Sequence, residues 1–275
     1  MLLQNKNAII YGGGGSLGGA VSKALAREGA KVFVTGHHKE NIQKTVDEII
    51  AAGGKAEAAV VDALNGSAIE NYLKEVKAKA GSIDISFNFI SLDPVQNIAF
   101  VDLPAADFLL PIHRAMESHY LTDTAAARIM IKQGSGVILS LTATPGGIGY
   151  PLTGGFGVAC AAMESFSCNL ASEIGKYGVR VVNIRSGGSP DSMPFVEARK
   201  QIGDAVIDSV LEKISMDTML KKMPLMIDIA NTAVFLASDW AKMITGVTVD
   251  VTAGSCSAIN HKVNWENPEG KKVKV

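Results

Sequence analysis

Short apolar runs rich in β-branched residues alternate along the chain with longer stretches in which apolar residues recur every three or four positions. The short runs predict β-strands, and the longer stretches predict amphipathic helices. Because the strand runs are almost continuously apolar, they are typical of a parallel sheet covered on both faces. The predicted strands span residues 7–11, 31–35, 56–61, 83–90, 136–142, 179–184 and 246–251, and the predicted helices span residues 17–28, 39–52, 67–80, 106–133, 153–176 and 228–238.

This alternation predicts an α/β fold, a doubly wound Rossmann-type sheet of seven parallel strands with helices on both faces. A chain of 275 residues can bury one sizeable core, so we expect a single domain over residues 1–275. Residues 190–226 interrupt the pattern before the last helix and strand, and they are interpreted as an insertion. The polar and basic residues from about 260 onward are expected to form a surface tail.

Net charge, apolar runs and cysteine content exclude several classes of function and location. The net charge of −1 gives no reason to expect nucleic acid or an anionic membrane as a partner. The start of the chain lacks the pattern of a signal peptide, and no apolar run reaches the roughly 20 residues that a membrane span needs. Three cysteines without metal-site spacing suit a reducing compartment. We therefore expect a cytoplasmic protein with no metal site.

A glycine-rich loop joins the first predicted strand to the first predicted helix. Gly13, Gly15 and Gly18 satisfy the pattern G-x-G-x-x-G in the strand–turn–helix context that gives this pattern its meaning. Glycines allow the backbone to approach a pyrophosphate, and the helix N-terminus supplies N–H groups and partial positive charge. The sequence therefore predicts a dinucleotide site, with the following loop residues as candidate cofactor ligands: Gly12, Gly14, Gly15, Ser16, Leu17 and Gly18.

The end of the second predicted strand indicates which nucleotide is bound. NAD-preferring sites usually carry Asp or Glu here to bind the ribose hydroxyls. In this chain Gly36 stands at that point, and His37, His38 and Lys39 follow it. Such a cluster could attract a 2′-phosphate, so NADP(H) is favoured over NAD(H), with His37 and His38 as candidate ligands. The alternative is a solvated polar turn.

These motifs make the chain similar to the short-chain dehydrogenase/reductase family over about residues 5–254. The glycine loop, Asp62 after the third strand, Asn88 in "NFIS" and the block at 228–254 carry the resemblance. The resemblance implies that Asp62, with Ala63, meets the adenine, and that Asn88 and Gly187 lie along the cofactor. It also implies a homodimer or homotetramer formed through the two long helices.

The family reduces carbonyls or oxidises alcohols with an Asn, a Ser, a Tyr and a Lys. An ungapped match places Ala115, Ala143, Phe156 and Cys160 at these four positions. Phe has no ionisable proton, and a thiol cannot replace the lysine cation. The Tyr-x6-Lys spacing of the family's enoyl-reductase branch falls on Thr153 and Cys160, so that pair is absent too. The resemblance therefore implies that the chain keeps the family's fold but lacks the side chains that normally transfer the proton.

Several side chains are candidates to replace the family's catalytic groups. Tyr150 and Thr142 are tentative catalytic residues, although Tyr150 could instead be an aromatic wall and Thr142 a backbone cap. Cys160 could be a nucleophile, but a thiol without a basic partner is more often a small buried hydrophobe. His113 and His119 flank the Asn position. His119, one helical turn on, could face the cleft, but a structural role is preferred.

Three functions remain open at this stage. The first is an NADP(H)-binding oxidoreductase of atypical mechanism that reduces a carbonyl or activated alkene of a lipophilic small molecule. The second is a catalytically silent homologue that acts as a nucleotide-binding sensor or assembly subunit, and the third is non-redox chemistry in the same pocket. A lipophilic substrate is suggested by apolar residues in the 190–226 segment, which is interpreted as a substrate lid: Met193, Phe195, Met216, Met219, Met223 and Met226. The alternative is that these side chains only pack against the core.

Overall fold

The computed structural model describes residues 1–257, so the predicted tail from about 260 lies outside the described residues. Seven parallel strands form one sheet in the order β3-β2-β1-β4-β5-β6-β7, as predicted. Each predicted strand is present, and the ends differ by at most a few residues. The strands are β1 (Asn7–Tyr11), β2 (Lys31–Gly36), β3 (Lys55–Val60), β4 (Ile85–Asn88), β5 (Gly136–Ala143), β6 (Val179–Ser186) and β7 (Val247–Val251).

Eight α-helices connect and cover these strands within residues 1–257. The six helices predicted from the sequence are confirmed, and the 190–226 segment adds two more, α6 and α7. The helices are α1 (Ser16–Arg27), α2 (Lys39–Ala51), α3 (Gly66–Ala80), α4 (Ala105–Gln133), α5 (Phe156–Ile174), α6 (Met193–Ile202), α7 (Asp204–Asp217) and α8 (Met226–Ala237). None of these eight has both the length and the apolar character needed to cross a membrane.

The sheet buries apolar side chains on both faces. Neighbouring residues of a strand point to opposite sides, so Ile10 packs in the cluster with α1, α2 and α8, whereas Ile9 packs in the cluster with α3, α4 and α5. Both isoleucines are fully buried, and each such side chain contributes about 1.5–3 kcal/mol to folding through its burial. This explains the nearly continuous apolar pattern of the strands.

The order in which the strands are added to the sheet changes side at β1, although all strands stay parallel. From β1 the chain builds outward through β2 and β3 on one side, and then returns to β1 to add β4 and the later strands on the other. Ligands of doubly wound sheets bind in the crevice at such a switch point, outside the carboxyl ends of the strands. The carboxyl ends of β1 and β4 are therefore where a ligand is expected.

The long helices α4 and α5 pack together beside this crevice. A small separate cluster joins them, built from buried Leu92, Ala115, Ala159, Cys160 and Met163. The small side chains at 115 and 159 fit a close helix–helix approach. This cluster fixes the position of the α5 N-terminus against β5, and hence the shape of the crevice.

Candidate functional site

Two connected cavities lie at the carboxyl ends of the strands. Their volumes are about 610 Å³ and about 820 Å³, and Gly12, Gly15 and the segment 89–91 line both. The first cavity extends along β2 and α2, and the second extends between β5, α4 and α5. Two joined compartments of this kind are the shape that a dinucleotide and a substrate together require.

The glycine loop is shaped by close backbone contacts. Gly12 has a φ of 73°, in the left-handed region that favours glycine. A Cβ on Gly18 would lie 2.4 Å from the Gly12 carbonyl oxygen, and a Cβ on Gly14 would lie 2.9 Å from the Ile42 nitrogen. No side chain caps the start of α1, so its first N–H groups remain available to a ligand. The loop therefore fits a pyrophosphate.

The first cavity contains most of the groups predicted for the adenosine end. His37, His38 and Ala63 line it, and Gly36 ends β2 beside them. Asp62 does not line the cavity. Its carboxylate accepts a hydrogen bond from the Leu64 N–H at 2.9 Å and lies 3.5 Å from Nε2 of His37. The structure thus brings His37 and Asp62 together at this end.

A charged cluster that was not predicted from the sequence also lines the first cavity. Arg114, in the first half of α4, forms an ion pair with Asp93. The Ser91 hydroxyl donates a hydrogen bond to the same carboxylate, and all three residues line the cavity. The loop that follows β4 carries Ser91 and Asp93, α4 carries Arg114, and no local sequence motif indicates this contact.

Apolar and polar side chains both line the second cavity, and most of its exposed surface is apolar. Its walls include Leu92, Leu141, Phe156, Cys160 and Met163. It also receives several predicted site residues, which are Ser16, Leu17, Gly18, Asn88, Thr142 and Ala143. Ala115 is fully buried next to this cavity, in the cluster that joins α4 and α5.

The Thr142 hydroxyl lies in the second cavity, but its proton is already engaged. Oγ1 donates to Oε1 of Glu164 at 2.8 Å and accepts from Nδ2 of Asn183 at 2.7 Å. Glu164 in turn forms an ion pair with Arg185, whose Nε lies 3.0 Å from Oε1, and this hydrogen bond raises the pKa of Arg185. Thr142 cannot donate to a ligand unless it gives up the bond to Glu164. In this arrangement Thr142 links β5, β6 and α5, and the catalytic role predicted for it receives no support.

Tyr150 and Gly187 are not brought into either cavity. The Tyr150 side chain is 44% exposed in the loop before α5 and lines neither compartment, so its tentative role as proton donor is not supported by this arrangement. The neighbouring Gly188, whose φ is 81°, lines the second cavity, whereas Gly187 does not. A Cβ on Gly187 would instead lie 2.9 Å from Cα of Thr252, so Gly187 packs against the segment after β7.

The lid segment meets the cavity through other residues than expected. Its methionines and Phe195 do not line the second cavity, whereas Ser192 and Pro194 do. The Met193 N–H donates to the Ser16 hydroxyl, which joins the start of α6 to the end of the glycine loop. The segment therefore contacts the cavity near the glycine loop through its first residues.

Cys160 is fully buried at the wall of the second cavity. Burial raises the pKa of its thiol to about 11, although a backbone hydrogen bond with Ala143 partly opposes this. A thiol with such a pKa is neutral at pH 7, and the thiolate is the reactive form. Of the two interpretations of Cys160, the structure favours the buried hydrophobe.

A buried histidine also lines the second cavity. Nδ1 of His119 lies 3.2 Å from Oδ2 of Asp123, one helical turn further along α4, and both side chains are at most 5% exposed. His113, by contrast, is exposed. From the sequence alone, a structural role is preferred for His119. The His-x3-Asp spacing on one helix face was the signal that could have drawn attention to the pair.

Comparisons with known proteins agree with this geometry. A family model described as "Enoyl-(Acyl carrier protein) reductase" matches residues 13–255. The 3-oxoacyl-(acyl-carrier-protein) reductase FabG of Staphylococcus epidermidis is 28% identical over 261 residues, which cover 91% of this chain and 98% of that protein. A 3alpha-hydroxysteroid dehydrogenase of Mediterraneibacter gnavus is 26% identical over 259 residues, covering 94% of this chain and 99% of that one.

Solved structures show the same fold. Levodione reductase superposes with a TM-score of 0.85 at 24% identity, over 94% of this chain and all of that one (100%). NAD+-bound xylitol dehydrogenase superposes with a TM-score of 0.84 at 22% identity, over 92% of this chain and 100% of that one. With the family model spanning nearly all the strands and the glycine loop, this chain belongs to the short-chain dehydrogenase/reductase family of oxidoreductases.

Proposed function

We propose that this protein uses NADP(H) to reduce a carbonyl or an activated alkene of a lipophilic small molecule, and that it does so without the family's tyrosine–lysine pair. The observation that carries the proposal is the pair of joined cavities. The glycine loop and the uncapped N-terminus of α1 lie where the two cavities meet. From there the first cavity extends toward His37 and His38, and the second extends toward a wall of apolar side chains.

The chain's own residues fit the cofactor. Gly12–Gly18 would hold the pyrophosphate, and His37 and His38 would face the adenosine ribose. The absence of a carboxylate at 36–38 supports NADP(H), although the Asp62 carboxylate near His37 reduces the positive potential there. When bound, the reduced nicotinamide supplies two electrons and a hydrogen as hydride.

The second cavity would bind and orient the substrate. Phe156 and Cys160, at the family's Tyr and Lys positions, form an apolar wall that excludes water and carries no charge at neutral pH. Apolar contacts with Leu92, Leu141 and Met163 would hold a lipophilic molecule. Among the relatives, the 3alpha-hydroxysteroid dehydrogenase is named for a steroid, and a hydrophobic cyclic ketone is the substrate class that suits this lining best.

We also propose a homodimer or homotetramer. Leu109, Leu110 and Tyr120 of α4 and Val158 of α5 are 40% or more exposed, so the two long helices present apolar surface that a second copy could cover. Light scattering of the purified protein tests this point, and a monomer at all concentrations would contradict it.

A catalytically silent nucleotide-binding protein is the second candidate. It is favoured by the engaged Thr142 hydroxyl and by the position of Tyr150 outside the cavities. Non-redox chemistry receives no such support, because Cys160 is neutral and buried.

The test is NADPH oxidation with a panel of cyclic, aryl and α,β-unsaturated ketones, with the reduced product identified by mass spectrometry. Product formed in proportion to NADPH consumed supports the oxidoreductase. Tight NADPH binding without product across the panel favours the silent homologue.

A further inference from the structure

We propose that His119, held by Asp123, is the proton-exchanging group of the second cavity. This inference rests on the proposed function and supplies the proton source that the function lacks. It starts from a cavity-lining histidine with a buried carboxylate partner on the same helix.

The hydrogen bonds of the ring leave one nitrogen free for a ligand. Nδ1 is 3.2 Å from the Asp123 carboxylate, and among residues 1–257 the ring forms no other hydrogen bond. Some polar atoms of residues 1–257 are fully buried and lack a hydrogen-bond partner, but Nε2 of His119 is not one of them. Since Nε2 also has no partner, it is not fully buried. Because His119 lines the second cavity, its second nitrogen is the one that a ligand there can reach.

Asp123 is placed to fix the state of this ring. Its side chain is 1% exposed, and an ionised carboxylate at such a site requires a strong partner. The neighbouring Thr122 hydroxyl, 3.2 Å from Oδ1, has a shorter bond to the Ser118 carbonyl at 2.8 Å, so its proton is used there. The Nδ1–H of His119 is therefore the main donor to Asp123, and it directs the other nitrogen toward the cavity.

The other titratable groups around the pair are neutral at pH 7. Burial and the nearby Asp123 raise the pKa of Tyr11 on β1. Burial likewise raises the pKa of Cys160 on α5 to about 11.

The small side chains at the family's catalytic positions leave room for this role. Ala115 lies one helical turn before His119, and Cys160 lines the same cavity from α5. A reduced nicotinamide held at the glycine loop would supply the hydride that reduces the substrate carbon. The carbonyl π bond then breaks toward oxygen, and the oxygen takes the proton that Nε2 carries in the doubly protonated His119 ring. The ring keeps its Nδ1–H on Asp123 and regains the Nε2 proton from water.

The first test compares His119→Gln with His113→Gln, a matched change at an exposed position of the same helix. NADPH affinity is measured by calorimetry before activity. We expect the affinity of both variants to stay within about twofold of the wild type, whereas kcat of His119→Gln falls about 100-fold or more, the usual contribution of general acid catalysis. A His119→Gln rate within threefold of the wild type, with binding intact, would overturn the inference.

The second test does not depend on turnover. Imidazole ¹⁵N NMR of the full-length protein reports which ring nitrogen carries the proton. We expect Nδ1 of His119 to be protonated, its signals to shift on addition of NADPH, and Asp123→Asn to switch the tautomer, because an amide can donate to Nδ1.

The two tests separate this inference from the proposed function. A wild type that binds NADPH but reduces no ketone contradicts the proposed function, and the NMR result then decides the role of His119. Signals that do not respond to NADPH, together with an unchanged tautomer in Asp123→Asn, would show that the pair is structural.

Discussion

The glycine loop and the far wall of the second cavity differ in what defines them. The loop is shaped by backbone: a left-handed glycine, close glycine contacts and an uncapped helix N-terminus. The wall of the second cavity is defined by side chains from β5, α4 and α5, among them Ala143, Phe156 and Cys160. A backbone-defined site depends on a few glycines, whereas a side-chain-defined site can be changed one residue at a time without loss of the fold. This contrast predicts which changes remove binding and which change only the chemistry.

The largest effect is expected from Gly18→Val. Its Cβ would lie 2.4 Å from the Gly12 carbonyl oxygen, so the loop must open. We expect NADPH affinity to fall by about 1,000-fold or more, equivalent to at least about 4 kcal/mol. Calorimetric titration measures the loss.

Two further variants control for misfolding. Gly15→Ala, with its Cβ 3.3 Å from the same oxygen, should lose less affinity, and Gly175→Ala, which meets nothing within 4 Å, should bind as the wild type does. Wild-type affinity in a folded Gly18→Val variant would show that the loop does not hold the nucleotide.

Restoring the family pair tests the second cavity. We expect Phe156→Tyr with Cys160→Lys, introduced into His119→Gln, to recover ketone reduction by about 100-fold, because a tyrosine beside a lysine cation supplies the proton that the variant lacks. Product formation by mass spectrometry is the measurement. Single Phe156→Tyr serves as the control, since without the cation its hydroxyl remains a poor acid. No recovery in a double replacement that still binds NADPH would contradict a preserved reductase geometry.

The third prediction concerns the ion pair beneath the second cavity. Glu164→Gln leaves Arg185 without its main partner, and both side chains are only 15% exposed. We expect the free energy of unfolding to fall by about 2 kcal/mol.

Glu70→Gln is its control. It breaks the exposed pair with Arg128 and should cost at most about 0.5 kcal/mol. Denaturant titration measures both variants, and equal losses would show that the Glu164–Arg185 pair does not brace the cavity.

The smallest effect is expected at the adenosine end. His37→Asp places a carboxylate where a 2′-phosphate would lie, so NADPH affinity should fall about tenfold while NADH affinity is kept or improved. Calorimetry with each nucleotide gives the ratio. If both affinities change equally, the His37 side chain does not select the cofactor.

The sequence predicted the elements better than the chemistry. Strand periodicity and the glycine loop are local signals, so β1–β7 and the Gly12–Gly18 site could be located directly. The role of Thr142 could not be predicted, because its hydroxyl is taken by Glu164 and Asn183 from other elements. The exposure of Tyr150 likewise depends on how a loop packs. The Asp123 partner of His119 was within reach of sequence reasoning, since the two residues are four positions apart on one helix.

The central claim is that the glycine loop and the first cavity bind NADP(H). Calorimetric titration of the purified full-length protein with NADPH, and separately with NADH, tests it most directly. The account predicts micromolar binding with NADPH the tighter of the two. Binding of neither nucleotide would contradict the claim, and the oxidoreductase proposal would fail with it.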